Sequence, residues 1–194
     1  MSRQYTELKR NINKIKKTFC TKMVINNQTT ERSQLMLKAY LALVHAEFEW
    51  FIETRIKNVL DDSLNKYNIS KTIDQHIGSV LAYSYKTKDV ESKDFIPFEQ
   101  IVNKECVDFK KRIKKNNGIT LDNITPLLKK IGYDINSISH QTELTVLRGF
   151  AADRGDIVHC STKVSRLINF QDETEKMENI LLVCKDIDDL LPVV

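Results

Sequence analysis

The chain has 194 residues, 41% of them apolar and 29% charged, and a mean hydropathy of −0.36; area scaling lets such a chain bury roughly 70% of its unfolded surface as one domain, without disulfide staples. Disorder, collagen and a cysteine framework are excluded by this composition, and five glycines and three prolines are too few for an all-β sandwich with its frequent turns. The net charge of +4 hides an asymmetry: residues 1–22 carry seven Lys/Arg and one acid, and residues 171–194 carry seven acids and two lysines, so the two ends are expected to attract each other.

Leu8, Ile12, Ile15 and Phe19 recur at helical spacing among lysines, which predicts a basic amphipathic first helix. The stretch Val24 to Thr30 breaks it, so residues 1–30 are expected as a helix and connector ahead of a helical domain at 31–194. A long helix is predicted from Glu31 to Leu64. Its stripe is Leu37, Leu41, Val44, Phe48, Ile52 and Val59, widened by Leu35, Ala39, Ala42, Ala46 and Trp50, which makes it central and buried on most sides. His45, Glu49 and Glu53 fall four apart along one polar seam of it.

A short helix is expected near Ile73 to Tyr83, followed by an exposed loop at Lys86 to Asp94. Pro97 opens the next helix, with Phe98, Ile101, Val102, Phe109 and Ile113 on one face and Asn117-Gly118 as its stop. Thr120 or Thr125 is the expected cap of a shorter helix, with Pro126 in its first turn and Gly132 at its end. Helix then resumes from about Asn136 through Ile138, Leu144, Leu147 and Phe150. The last helix starts near Asp172 and packs Met177, Ile180, Leu181, Cys184, Ile187 and Leu191. The expected fold class is therefore all-α, a bundle of five to seven helices on one long central helix.

Cys20, Cys106, Cys160 and Cys184 show no CxxC spacing and no paired histidines, so no metal site or cofactor is expected, and the thiols are read as reduced and mostly buried. No apolar run has the length of a membrane span and the first residues lack a signal-peptide core, so a cytoplasmic protein with no membrane contact is expected. Between Lys104 and Asn116 stand six basic residues against two acids. Lys110, Lys111, Arg112, Lys114 and Lys115 of this block are candidate RNA-binding residues, since neutralising phosphates needs clustered cations.

The chemistry is concentrated in Arg148-Gly149-Phe150-Ala151-Ala152-Asp153-Arg154-Gly155-Asp156-Ile157-Val158-His159-Cys160. On a straight helix, positions 154 and 159 would diverge by about 140° around the axis, so a bend is expected, with Gly155 as its place. A histidine moves protons near neutral pH and an arginine stays cationic beside a charged phosphorus centre. Together they suit metal-free RNA cleavage, in which the 2′-hydroxyl is the nucleophile and the protein supplies only acid, base and charge stabilisation.

Arg154-Gly155-Asp156-Ile157-Val158-His159 resembles the R-x₄-H signature of the HEPN superfamily of small α-helical ribonuclease domains. The segments Ala42-Leu43-Val44-His45-Ala46-Glu47-Phe48-Glu49-Trp50-Phe51 and Asn123 to Gly132 are similar to the RiboL-PSP and MAE-type branch. This resemblance implies a helical bundle that pairs into a homodimer, with two motifs forming one composite RNase site from Arg154, His159 and Asp156, and with Glu49 and His45 as supporting polar groups. It further implies a toxin or abortive-infection effector, with an antitoxin or defence-system protein as partner; the alternative is a non-catalytic module that binds RNA or a partner protein. Gly155 stands where many members carry Asn, Asp or His, and Ser161 where members controlled by tyrosine AMPylation carry a tyrosine, so that control is not expected here.

Overall fold

The computed structural model describes residues 1–86, 96–150 and 167–192; the expected loop at Lys86 to Asp94 lies outside them from residue 87 onward. Among the described residues the chain is all-α with no strand. The order is α1 (Arg3–Phe19), α2 (Lys22–Asn26), α3 (Glu31–Ser70), α4 (Gln75–Lys86), α5 (Phe98–Lys114), α6 (Leu121–Lys130), a 3₁₀ turn (Ile135–Ser137), α7 (residues 143–150) and α8 (Phe170–Leu190). That is one helix more than expected. The addition is α2, which Thr21 caps by accepting from the Val24 amide inside what the sequence presented as a connector.

Helix α3 is the axis of the molecule. Its 40 residues span about 60 Å, beginning at the Thr30 cap and ending where Lys71 turns left-handed at φ 60°. It runs six residues past the expected Leu64 because its last turns still bury Tyr67. Leu37, Leu41, Val44, Phe48, Ile52 and Val59 are all buried, as the stripe requires, and Tyr40, Phe51, Ile56 and Leu60 join them. Each fully buried large apolar side chain contributes about 1.5–3 kcal/mol.

The expected widening of the stripe fails on one edge. Leu35 and Trp50 are 49% and 39% exposed and Ala46 is exposed, because no described helix covers that side of α3. Phe98 is likewise exposed at the first turn of α5.

Helix α1 lies against α3 and α8 and adds Tyr5, Leu8 and Ile12 to the common core. The Asn11 amide donates to Glu47 at 2.9 Å, and the Tyr5 hydroxyl donates to the Leu181 carbonyl at 3.1 Å. The basic and acidic ends of the chain therefore meet. At that junction Arg55 and Asp188 form an ion pair at 2.9 Å with both side chains almost fully buried. Arg55 also donates to the carbonyls of Leu191 and Pro192, each at 3.1 Å, and Asp188 accepts the Ser2 amide at 2.7 Å.

Shorter elements close the bundle. Asp74 starts α4 by accepting the amides of His76 and Ile77, and the buried His76 ring bonds the Ile131 carbonyl at 3.1 Å and stacks on Tyr133. Thr120, not Thr125, caps α6 by accepting the Asn123 amide, so Pro126 sits inside the helix instead of in its first turn. Gly132 ends that region at φ +88°, where an added Cβ would stand 2.6 Å from the Ser79 hydroxyl.

Helix does not resume at Asn136. Asp134 accepts the Asn136 amide and holds a 3₁₀ turn, after which Ile138 is extended, with its side chain buried, and α7 begins only at residue 143. Helix α8 starts two residues before Asp172 because Asn169 accepts the amides of Gln171 and Asp172. Cys20, Cys106 and Cys184 are buried free thiols, and burial pushes Cys20 and Cys106 up to about 11. Cys160 lies outside the described residues.

Candidate functional site

Arg154, Asp156 and His159 lie outside the described residues, as does the expected bend at Gly155. The structure does place the element that leads into them. Helix α7 buries Leu144, Leu147 and Phe150, while Arg148 and Gly149 are exposed. The Phe150 ring lies nearly parallel to that of His45, with centroids 5.7 Å apart, and meets Phe48 edge-on at 6.1 Å. Position 150 is thus fixed against the middle of α3, four residues before Arg154.

His45 is 1% exposed, wedged between the core of α3 and Phe150 of α7. It packs on that ring and is not presented to solvent. The next two members of the seam point to a different neighbour. Glu49 accepts the Gly118 amide, and Glu53 accepts from the Asn116 amide group at 2.9 Å. The turn that separates α5 from α6 is therefore pinned to α3 by two carboxylates. Burial raises the Glu53 carboxyl above its ordinary value, the hydrogen bond from Asn116 works against that rise, and the neighbouring Glu49 charge adds to it.

The seam reads as a ladder with a rise of about 6 Å per four residues. Phe150 sits at His45, Gly118 at Glu49 and Asn116 at Glu53. Glu49 thereby fixes the turn between α5 and α6, and His45 packs on Phe150.

The five candidate cations of α5 and its cap belong to the far end of this ladder and are not brought to His45. They also fall into two groups. Lys110 pairs with Asp61 at 2.5 Å, and Asp61 in turn takes Lys57 at 2.6 Å. Lys111 pairs with Asp108 at 3.1 Å. Burial alone would raise Asp61, but its bonds to the two lysines outweigh it and hold the carboxyl below its ordinary value. Arg112, Lys114 and Lys115 carry no ion pair among the described residues and ring the end of α5.

Two depressions flank this end. One, of about 370 Å³, runs between α3 and α5 over Thr54, Val107 and Ile113. The other, of about 530 Å³, opens where α5 ends and α6 begins, lined by Lys111, Arg112, Lys115, Asn116, Asn117 and Asn123 among others. The asparagines are not among the candidate residues read from the sequence, where Asn117-Gly118 signals only a helix stop. Their clustering with Asn123, whose amide donates to the Asn117 carbonyl at 2.9 Å, depends on the turn and has no periodic signature. Glu47 on α3 accepts from the Asn11 side chain of α1.

Among the described residues no three His, Cys, Asp or Glu side chains group as a metal site, and no helix is long and apolar enough to cross a membrane. In comparisons with known proteins, the sequence model of one family, RiboL-PSP-HEPN, matches residues 3–192. The match takes in α1 as well as the helices that follow. No curated protein and no solved structure matches the chain.

Proposed function

The chain belongs to the RiboL-PSP-HEPN family, and from that premise we propose that it is a metal-independent endoribonuclease. The observation that carries the reading is the Arg154, His159 pair at R-x₄-H spacing on the segment that begins directly after Phe150, a residue clamped on His45 and Phe48. His159 exchanges protons with the reacting RNA oxygens, and Arg154 stabilises the extra negative charge on the phosphorane-like transition state. Asp156 orients one of the two. The nucleophile is the substrate's own 2′-hydroxyl, so the bond to the 5′-oxygen breaks as the 2′-oxygen attacks phosphorus, leaving a 2′,3′-cyclic phosphate and a 5′-hydroxyl.

A toxin or antiviral effector role, held in check by an antitoxin or defence-system protein, fits an enzyme that destroys RNA and needs no cofactor. A homodimer in which two motifs share one site is part of the same reading. The test is cleavage of a labelled single-stranded RNA in EDTA. Wild type is expected to yield cyclic-phosphate ends, and His159→Ala and Arg154→Ala to lose activity by about 10²- to 10⁴-fold while RNA binding persists. Dependence on Mg²⁺, or near wild-type cleavage by His159→Ala, would overturn the proposal.

A further inference from the structure

We propose that the groove where α5 ends and α6 begins is a subsite for the sugar–phosphate backbone of single-stranded RNA. The inference rests on the ribonuclease reading for its ligand and on the described residues for its place. The groove has a volume of about 530 Å³ and is lined by Arg112, Lys115, Asn117 and Asn123 together with the Lys111–Asp108 pair and Asp122. Within that lining Lys111 is answered by Asp108, so two cations with no ion pair among the described residues, Arg112 and Lys115, face one acid, Asp122.

The balance is positive, and the form of the charge matters more than its sum. A guanidinium takes a phosphate through two parallel N–H bonds, and an ammonium adds a point charge beside it. Asparagine side chains offer both donors and acceptors, which suits ribose 2′-hydroxyls and base edges. Pro126 and Leu127 add an apolar patch to the wall. The groove between α3 and α5 is different in kind. Its floor is Thr54, Val107 and Ile113, and most of its rim lysines are already answered by Asp61 and Asp108.

The subsite is also indexed to Phe150. Asn116 bonds Glu53, Gly118 bonds Glu49, and the next seam residue back, His45, packs on Phe150. From His45 to Glu53 is eight residues of one uninterrupted helix, about 12 Å of rise. A strand held at the groove is therefore held at a fixed offset from Phe150, and the groove is expected to be a determinant of KM and of minimal substrate length.

The experiment compares two double variants that remove the same charge: Arg112→Gln with Lys115→Gln in the groove, and Lys14→Gln with Lys17→Gln on α1. Each is made in the intact chain for cleavage and in a His159→Ala chain for binding of a fluorescent single-stranded RNA. The groove variant is expected to bind about tenfold more weakly, with a salt slope shallower by about 1.4 for two lost phosphate contacts, and to raise KM with kcat retained. The α1 variant is expected to change little. Equal loss in both variants, or no loss in the groove variant while wild type binds and cleaves, would overturn the subsite alone. If wild type neither binds nor cleaves RNA, the ribonuclease reading falls and takes the subsite with it.

Discussion

One buried and one half-buried acid show how single residues fix this molecule. Asp188 is almost fully buried against Arg55 and the Ser2 amide, and removing one member of such a pair leaves the other charge stranded in a dry site. Asp188→Ala is therefore expected to cost about 3–5 kcal/mol, read as a fall in C_m in urea. Replacing both partners, as Arg55→Met with Asp188→Leu, should recover much of that loss, because no charge is then left unanswered. Glu53 contributes in a pH-dependent way. Its carboxyl is raised by burial and by Glu49, so its favourable contribution is complete below the ordinary glutamate value and is lost as pH rises through the folded value. Gln keeps an acceptor for the Asn116 amide and never ionises. Glu53→Gln should melt together with wild type near pH 4 and above it near pH 7; a variant that is less stable at pH 7 would show the charge itself to be needed.

At the level of elements, caps decide where helices begin, and one of them has a pH signature. Burial by itself would raise Asp74, but its bonds from Ser63 and from the Ile77 and His76 amides, with the His76 charge, hold it below the ordinary value. Its stabilisation is present above the ordinary aspartate value and is lost as pH falls through the folded value. Asp74→Ala should cost about 1 kcal/mol at neutral pH, and Asp74→Asn should keep most of the cap while flattening the acid limb of the stability profile. Caps and periodicity also explain what the sequence made legible. The 3.6-residue stripes of α1, α3, α5 and α8 survive folding with most of their members buried or half-buried and Phe98 exposed, since each stripe is a property of one continuous segment. Residues whose fate depends on a neighbour from elsewhere were not legible: Trp50 and Leu35 look like core until it is seen that no described helix covers them, and Ile138 keeps a helical spacing while lying in extended backbone. The seam was visible as His45, Glu49 and Glu53, yet its partners Phe150, Gly118 and Asn116 come from two later parts of the chain. Asp134 accepts the Asn136 amide and α7 starts seven residues later than expected, a side-chain-to-backbone bond that competes locally with helix.

For the whole molecule, the proposed pairing of two chains at one active site can be tested through its proton carriers. Cleavage by 2′-hydroxyl attack needs one proton removed from that hydroxyl and another delivered to the departing 5′-oxygen. The chain has four histidines, and the three that are described are already committed: His45 is sealed beneath Phe150, His76 bonds the Ile131 carbonyl, and His140 is held by Asp186 at 2.9 Å. That leaves His159 as the one histidine per chain for two transfers, a deficit that a two-fold pairing of copies removes by bringing a second His159 and a second Arg154 to the same phosphate. The proposed enzyme is accordingly expected to sediment at twice 22.5 kDa in its active range and to lose activity per chain on dilution below it. Subunit exchange gives the sharper measurement. When wild type is mixed with a large excess of the His159→Ala chain, most wild-type subunits acquire a partner that lacks the second proton carrier, and cleavage should fall well below that of the same wild type mixed with an inert protein. Activity that is unchanged by the excess, or that persists in a species sedimenting at the mass of one chain, would mean that a single copy completes both transfers and that the pairing has no part in the chemistry.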